Sequence, residues 1–490
     1  MAGIRAEGRA FVDENGRQRV FSGVNYVYKG EKPQADGVVH FLHPLEEKAL
    51  ADLKAHGVNL IRLGFTWAGI EPAMGQYNET YLSEIKEVVR RCEAHGIFVY
   101  LDWHQDLWSG FGLGVGDGAP AWACMTEKKM KKPRFIWAEG YFFGGAVWDC
   151  FDAFWENRPL AGRGLRDRYC DMLEYTVRYM ADCENVIAVD LLNEPYPGSL
   201  GGRVFRRLVK NAAKTVLTHP KADRKQMLKD LASGEVMAAL SVIDDGEVYH
   251  AIIDPAEPLL RKFDTGVYYD FLCAAGAAVR RADKNAVLLF ENSYYSNLGI
   301  PCAAPIPVYP DGTRERNVAF APHGYDLTVD TPLTNVASTA RVDHIFAEHR
   351  RKQLRQNVPV VVGEWGGMVA GGEDYPALEH LIALFDENGW SHTYWHYSRE
   401  ILDSKIFAIL ARPYPQAVAG EIGSYGYDRA AGVFTLGYTA KACALPTEIY
   451  LPSKPAAVEG TGRWEVREAG GAFSLVHYPT AGEQKVRVTL

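Results

Sequence analysis

Apolar runs typical of buried strands alternate along the chain with amphipathic stretches typical of helices. This alternation is the pattern of βαβ units, in which helices cover a parallel sheet. Helices are predicted where apolar residues recur with a spacing near 3.6. The predicted strands are Val20–Val24, Val58–Leu63, Ile97–Asp102, Val186–Leu192, Ala286–Phe290, Val318–Pro322, Val360–Val362 and His392–Trp395. The predicted helices are His43–His56, Tyr81–His95, Arg166–Cys183, Leu259–Ala282, Ala337–Leu354 and Tyr375–Glu387.

Eight parallel strands that close on themselves form a barrel. After residue 425 the pattern changes to short strand-like runs separated by turn residues, which favours an antiparallel sandwich. The predicted fold class is therefore α/β, a (β/α)8 TIM barrel followed by a small C-terminal antiparallel β-sandwich domain. The predicted division is a catalytic barrel over residues 1–425, with insertions near 108–160 and 198–258, and a β-sandwich domain over 426–490.

Composition excludes some classes of function. The chain has 490 residues and a net charge of −8, which gives no reason to expect a nucleic-acid partner. No run of 18 apolar residues predicts a membrane-spanning helix. The first residues lack the apolar core of a secretory signal, so the protein is either cytoplasmic or begins after a removed leader. We predict a secreted or extracellular monomer, with a cytoplasmic location as the alternative.

Glu194 and Glu364 each close an apolar, strand-like run. Buried parallel strands present their last residues at the carboxyl edge of a barrel, where such folds carry their chemistry. Two carboxylates at that edge are the pair that a glycosidase needs, Glu194 as acid and base and Glu364 as nucleophile. The alternative for Glu194 is a helix-start turn, since Pro195 follows it.

Other polar residues end the same predicted strands. Asn193 is a candidate ligand for the sugar hydroxyl beside the reacting carbon. Tyr325 is a candidate donor to Glu364, and Arg62 a fixed positive charge, because an unpaired buried Arg is costly. The alternatives are a structural ion pair for Arg62, a core histidine for His323 and a core tryptophan for Trp395.

The segment Asp102-Trp-His104-Gln-Asp106 follows the third predicted strand. Its His and Asp side chains are possible metal ligands, but no HExxH motif or comparable cluster accompanies them. Hydrogen bonding to sugar hydroxyls suits them better. We therefore expect neither a metal nor a cofactor.

Taken together, these residues resemble the signature of the cellulase-type glycoside hydrolase family 5, a family of retaining barrel enzymes. The signature is matched in order by Arg62, His104, Asn193, Glu194, His323, Tyr325, Glu364 and Trp395. Within the family the chain is similar to the endoglycoceramidases, on the segments 102–106, 193–198 and 412–420. This likeness implies a glycosphingolipid substrate, or more broadly a β-glycoside, and it implies that Asp106 and Lys29 contact the sugar. Trp103 stands where better-known members carry Met, which would fit an endogalactosylceramidase-type member.

A ceramide leaving group would require an apolar groove beside the sugar site. One candidate wall is the stretch Trp108–Phe154, and the other is the insertion 198–258; the alternative is that both are barrel lids. The aromatic candidates in the first stretch are Trp122, Phe135, Trp137, Tyr141, Phe142, Phe143 and Trp148. Such a substrate also suggests transient contact with a membrane surface.

Three other functions compete with this prediction. The same chemistry would serve a β-glucanase or mannanase, or a hydrolase of simple or steryl β-glucosides. A non-catalytic glycolipid-binding protein on the same barrel is the competitor from a different class, and the pair of carboxylates argues against it.

Overall fold

The computed structural model describes residues 3–30, 39–42, 45–130, 132–134, 136–331, 333–372 and 374–490. Eight parallel strands form a ring in the order β6, β5, β4, β3, β2, β1, β8 and β7, and a parallel bridge between Phe320 and Val360 closes it. The strands are β1 (Ser22–Val27), β2 (Leu60–Phe65), β3 (Phe98–Trp103), β4 (Val186–Asp190), β5 (Val287–Phe290), β6 (Val318–Phe320), β7 (Val361–Val362) and β8 (Ser391–Tyr394). The predicted TIM barrel is confirmed, and each strand begins and ends within three residues of its predicted position.

Helices cover the outside of the ring. They are α1 (Glu47–Ala55), α2 (Glu79–Ala94), α3 (Leu165–Tyr179), α4 (Val267–Ala282), α5 (Thr339–Gln356) and α6 (Pro376–Asn388). The start of the predicted first helix, at residues 43 and 44, lies outside the described residues. The single helix predicted over Leu259–Ala282 is wrong, because α4 is preceded by a separate helix, Glu257–Asp264. Gly266 lies between them with φ −110° and ψ −112°, which is not a helical conformation.

Apolar residues at helical spacing explain how these helices pack against the barrel. In α2 the buried positions recur every three or four residues, from Tyr81 through Ile85 and Val88 to Cys92. The Asn78 side chain accepts a hydrogen bond from the backbone N–H of Tyr81 and so caps the start of α2. Burying each large apolar side chain stabilises the fold by about 1.5–3 kcal/mol before entropy is counted.

Both insertions contain helices. The first contains Gly110–Leu113, Glu139–Phe143 and Gly145–Trp155, and the second contains Ser199–Thr218, Arg224–Ala232, Val236–Leu240 and Gly246–Ile253. Shorter helices lie at Trp67–Ile70, Arg399–Leu402 and Lys405–Leu410. Within the described ranges, none of the helices combines the length and the apolar character needed to cross a bilayer.

A β-sandwich of two antiparallel sheets follows the barrel, as predicted. One sheet contains, in spatial order, Arg5–Glu7, Ala10–Val12, Gln18–Arg19, Tyr414–Val418, Thr447–Leu451, Ala472–Tyr478 and Arg463–Ala469. The other contains Gly420–Asp428, Val433–Ala440, Gly482–Thr489 and Ala457–Gly460. Strands before β1 thus join strands at the end of the chain. The C-terminal strands of the sandwich begin at Tyr414. The division of the chain at residue 425 stays a prediction.

A buried ion pair joins the barrel to the sandwich. Arg412, two residues before the first C-terminal strand, donates from Nε to Oδ2 of Asp386 on α6 at 2.8 Å, and its Nη2 pairs with Oδ1. Burial lowers the pKa of Arg412, but the Asp386 charge outweighs burial and leaves that pKa raised. The guanidinium is therefore charged and needs its partner.

We expect Asp386→Asn to destabilise the native state by about 3 kcal/mol, because it leaves a buried cation without its counter-charge. The measurement is a urea unfolding curve at neutral pH. Glu465→Gln removes an exposed partner of Arg467 and is the control, expected to leave the unfolding curve nearly unchanged. Equal effects of the two substitutions would contradict the importance of the buried pair.

Candidate active site

Glu194 and Glu364 meet at the carboxyl edge of the barrel. Glu194 follows β4, and Glu364 follows β7 in a short parallel pairing that sets it opposite His323. Oxygen atoms of the two carboxylates and a nitrogen of His323 all lie within 4.8 Å of one another. Carboxyl groups about 5–5.5 Å apart are typical of retaining glycosidases, whereas inverting enzymes separate them by about 6.5–9.5 Å. Carboxylate oxygens this close together favour a retaining pair over an inverting one.

Glu364 is held as an ionised carboxylate. Its Oε1 pairs with Nη1 of Arg62, and its Oε2 accepts a hydrogen bond from the Tyr325 hydroxyl at 2.9 Å. Burial raises the pKa of Glu364, but the charges of His323 and Arg62 outweigh burial and hold that pKa below its ordinary value. An anion fixed by two donors is suited to attack an electrophilic carbon.

Glu194 lies in a different environment, although it is equally buried. Its Oε1 accepts from Nδ2 of Asn297 at 2.5 Å and lies 3.2 Å from Nδ1 of His323. Burial is the main reason that its pKa is raised to about 7; the His323 hydrogen bond opposes the shift, and the Glu364 charge adds to it. Its φ of 41° is unusual for a residue other than glycine. Two carboxyls with pKa values moved in opposite directions suit an acid beside a nucleophile.

Arg62 and His323 lie beneath the two carboxylates and are fully buried. Arg62 Nη2 lies 3.0 Å from Asp102 and 2.9 Å from Glu291, so the guanidinium is both a structural ion pair and a partner of Glu364. Burial lowers the pKa of His323, but the charges of Glu291 and Glu364 outweigh burial and leave that pKa well raised. His323 is therefore a cation within the site rather than a neutral core histidine.

A charged cluster forms one end of the site. Lys29 pairs with Asp106 and lies 3.9 Å from Asp117, and its ammonium sits 4.9 Å from the centre of the Trp395 ring. His104 stacks on the same ring at 5.6 Å. These groups offer an aromatic face together with donors and acceptors, which is the combination that binds a sugar ring.

Three predicted residues, Arg62, Asn193 and His323, lie behind the cavity rather than on its surface. Asn193 donates from Nδ2 to the backbone oxygen of Gln105, and its Oδ1 accepts from Arg62 at 2.7 Å. Asp102 holds His104 through Nδ1 at 2.9 Å. The structure thus brings all ten predicted site residues to one end of the barrel, with Arg62, Asn193 and His323 forming the layer beneath the exposed groups.

A cavity of about 430 Å³ opens above the two carboxylates. Opposite the charged cluster its surface is apolar, lined by Ile136, Trp137, Phe142, Leu298, Leu327 and Val329. The predicted groove wall is therefore right for Trp137 and Phe142, whereas Phe135 lies outside the described residues. Of the other candidates, Trp122, Tyr141 and Trp148 do not line the cavity, and Phe143 lines a neighbouring depression.

The predicted opposite wall is wrong, because no described residue of 198–258 lines the cavity. That wall comes from Leu298, in the turn after β5, and from Leu327 and Val329, in the segment after β6. A contact spans the mouth, where Nε1 of Trp137 donates to Oδ2 of Asp330 at 3.0 Å. The insertion 198–258 instead packs behind Phe142, through the stacked ring of Phe205.

Comparison with known families decides what this site belongs to. A model described as cellulase (glycosyl hydrolase family 5) matches residues 25–222 and 267–400. The chain belongs to glycosyl hydrolase family 5. Residues 412–489 match the model of the family 5 C-terminal domain, which covers the C-terminal strands of the sandwich. The protein is thus a glycoside hydrolase, as predicted.

The sequence identity between this chain and individual relatives of known function is low. The chain is 26% identical to Endoglycoceramidase I of Rhodococcus hoagii (strain 103S) over 464 residues, covering 91% of this chain and 79% of the relative. Endo-glycoceramidase II from Rhodococcus sp., solved with a five-membered iminocyclitol, has a TM-score of 0.73 at 24% identity and covers 99% of both chains. A solved endogalactoceramidase has a TM-score of 0.67 at 19% identity and covers 100% of both chains. These two structures establish the shared fold.

Sequence reasoning missed Glu291, which follows β5. Glu291 Oε1 lies 2.9 Å from Arg62 and 3.1 Å from His323, and its Oε2 accepts from the backbone N–H of Glu194 at 2.6 Å. The signal was present, because Glu291 closes an apolar run just as Glu194 and Glu364 do. Asn297, which hydrogen-bonds Glu194, had no such signal, since it lies in a short turn.

We expect Glu291→Gln to lower kcat by about 10–100-fold, the usual cost of removing a group that orients a reacting residue. Without the Glu291 charge the His323 cation is less stable, and the pKa of Glu194 should rise. A pH profile should therefore show activity lost at higher pH than in the parent enzyme. A lower kcat with an unchanged profile would mean that Glu291 acts only through packing.

Trp103 corrects the inference about sugar preference. Its ring is buried against Phe65 at 4.8 Å, and its Nε1 donates to Sδ of Met172 at 3.1 Å. Side chains alternate along β3, so Asp102 faces the barrel interior and Trp103 faces the helices. Trp103 does not line the cavity, and its identity cannot select the sugar by direct contact.

The acidic groups around the site already have cationic partners. Asp102, Asp190 and Glu291 surround Arg62, and Asp106 and Asp117 lie beside Lys29. A divalent cation would have to displace a protein cation at either place. We therefore assign none of these groups to a metal.

Proposed function

We propose that this enzyme is a retaining endo-β-glycosidase that hydrolyses the bond between the glycan and the ceramide of glycosphingolipids. The observation that carries the proposal is the two-sided cavity, with a polar cluster on one side of the carboxylate pair and an apolar wall on the other. A molecule with a sugar at one end and alkyl chains at the other fits both halves. The name of the Rhodococcus hoagii relative agrees with this substrate.

In the first step Glu364 attacks the anomeric carbon while Glu194 protonates the departing oxygen. Tyr325 and Arg62 hold the attacking carboxylate, so little motion is needed to reach the transition state. A pKa of about 7 keeps much of Glu194 protonated near neutral pH. The product of this step is a covalent glycosyl–Glu364 ester.

In the second step Glu194 removes a proton from water, which then releases the sugar from Glu364. Once Glu364 is esterified, its charge no longer raises the pKa of Glu194. Glu194 then has a lower pKa than in the free enzyme, and it is present as the carboxylate that acts as the general base. Two inversions at one carbon leave the product with the configuration of the substrate.

The apolar wall would receive the ceramide. Its alkyl chains gain roughly 0.8 kcal/mol for each methylene group buried. Trp137 lies at the mouth, about one-third exposed, where its ring can contact a chain that leaves the cavity. The wall thus supplies binding free energy remote from the reacting bond.

The direct test is a panel of glycosphingolipids, β-glucans and simple or steryl β-glucosides. We expect release of an intact oligosaccharide together with ceramide. Trp137→Ala should raise KM for a glycosphingolipid about tenfold and leave KM for a soluble aryl β-glycoside unchanged. Turnover of glucans or simple glucosides in place of glycosphingolipids would overturn the substrate class but not the chemistry.

A further inference from the structure

Exposed basic and apolar side chains lie on the two insertions, the first of which lines the cavity through Trp137 and Phe142. Seven of the described exposed large apolar side chains lie on the two insertions, namely Phe111, Trp137, Phe143, Val209, Leu217, Leu228 and Leu231. Phe143 is 63% exposed and Val209 is 53% exposed. Exposed apolar groups gathered in one region of a protein mark a contact surface more often than scattered ones do.

The helix Ser199–Thr218, here called the insertion helix, contributes both kinds of side chain. It carries five basic residues and no acidic residue, and the five are exposed, namely Arg203, Arg206, Arg207, Lys210 and Lys214. None of the five forms an ion pair with any residue that the structure describes. Its opposite face is buried through Val204 and Leu208.

Basic residues are concentrated in two segments of the chain. Residues 199–232 contain nine Lys and Arg against two Asp, and the segment 128–134 contains five Lys and Arg against no acid. The whole chain, by contrast, carries a net charge of −8. Positive charge is therefore concentrated on these two segments of the insertions.

Ring contacts connect the insertion helix to the cavity. Phe205 of the helix stacks on Phe142, which lines the cavity, at 4.5 Å. Phe205 also meets Phe143 edge-on at 5.4 Å. Phe143 lines a neighbouring depression with Lys132 and Arg134. The one acidic residue of that depression, Glu139, accepts hydrogen bonds from the backbone N–H groups of residues 134 and 136.

We propose that this surface docks the enzyme on an anionic lipid bilayer, with the cavity mouth facing the headgroups. The surface consists of Lys132, Arg134, Phe143 and the exposed face of the insertion helix. The proposal rests on the proposed function, because only a lipid-linked substrate needs the mouth brought to a membrane. The only property that the lipid headgroup needs for this docking is a negative charge.

The mixture of side chains favours a bilayer over other acidic partners. Apolar side chains between long basic ones can enter the boundary between headgroups and acyl chains, while the cations stay at headgroup level. Each such cation strengthens binding to an anionic surface by about fivefold at moderate salt. The attraction is weaker in salt, because ions screen exposed charges over about 10 Å at 0.1 M.

The test is co-sedimentation of the enzyme with vesicles that contain no glycolipid. One set is phosphatidylcholine alone, and the other is phosphatidylcholine with 30% phosphatidylglycerol, a composition chosen to supply negative charge. We expect binding to the anionic set only, weakened by salt. The triple variant Arg206→Gln, Arg207→Gln, Lys210→Gln should bind at least tenfold more weakly. The matched control, Lys454→Gln, Lys485→Gln, Arg487→Gln, removes three exposed cations from the sandwich and should bind like the parent.

Hydrolysis assays separate this proposal from the proposed function. Both triple variants should hydrolyse a soluble aryl β-glycoside at the parental rate. Only the insertion-helix variant should lose activity on a glycosphingolipid embedded in anionic vesicles. Equal binding to both vesicle sets, or equal binding by the two triple variants, would overturn the docking surface. Vesicle binding as expected, without any glycosphingolipid hydrolysis, would overturn the proposed substrate and with it the purpose of the surface.

Discussion

Glu364→Gln should reduce kcat/KM by at least about 10⁴-fold, as expected when the attacking group of a covalent mechanism is removed. The amide still fits beside Tyr325, but it cannot form the glycosyl ester. Arg62 keeps its contacts with Asp102 and Glu291, so the fold should survive. The measurement is the rate of release of 2,4-dinitrophenol from an aryl β-glycoside, with a thermal unfolding curve as the control for folding.

Azide rescue makes this prediction specific for the nucleophile. In Glu364→Gly the face of the sugar that Glu364 attacked is open to a small anion. Azide should restore activity on the dinitrophenyl glycoside and yield an α-glycosyl azide, because a single displacement inverts the carbon. A β-glycosyl azide, or nearly full activity without azide, would show that another residue forms the covalent bond.

The barrel could be predicted because its strands are buried on both faces. Such strands appear as continuous apolar runs, and β4 has every residue from Val186 to Asp190 buried. The helix boundary at Gly266 was harder, since the apolar pattern continues through it and only the local backbone conformation breaks the helix. The contribution of Arg5–Glu7 to the sandwich depends on pairing across the whole chain, which no local pattern records.

The site residues likewise fall into those that the sequence could predict and those that it could not. Residues at strand ends were found because the carboxyl edge of a barrel is predictable from the strand pattern. Glu291 obeyed that rule and was missed, although it directly follows the apolar run Val287–Phe290. Trp103 adjoins the sugar ligands in sequence but faces the helices, because side chains alternate along a strand. Leu327 and Val329 lie in a segment without regular spacing, so their place in the apolar wall required the structure.

Glu194→Gln should separate substrates by their leaving groups. Loss of general acid catalysis should lower kcat/KM for a natural glycoside by about 10²–10⁴-fold. Release of 2,4-dinitrophenolate needs no proton, so kcat/KM for the dinitrophenyl glycoside should fall less than about tenfold. Equal losses on both substrates would remove Glu194 as the acid.

The same variant should stall at the second step, because no base activates water. With the dinitrophenyl glycoside we expect a burst of phenolate equal to the enzyme present, and a glycosylated Glu364 peptide detectable by mass spectrometry. Azide should release this intermediate as a β-glycosyl azide, since two inversions restore the configuration. Formation of the α-glycosyl azide would instead exchange the roles of Glu194 and Glu364.

The pH dependence of the parent enzyme follows from the same residue. Glu194 must be protonated to act as the acid, and its pKa is about 7, so kcat/KM for a natural glycoside should fall as the pH rises through 7. Because the pKa of Glu364 is lowered, activity on the acid side should be lost only at a pH below the ordinary pKa of a glutamate. In Glu194→Gln, assayed with the dinitrophenyl glycoside, the loss at high pH should disappear and the loss at low pH should remain. A high-pH loss that persists in the variant would assign it to another group, with His323 the next candidate, because its cation touches both carboxylates.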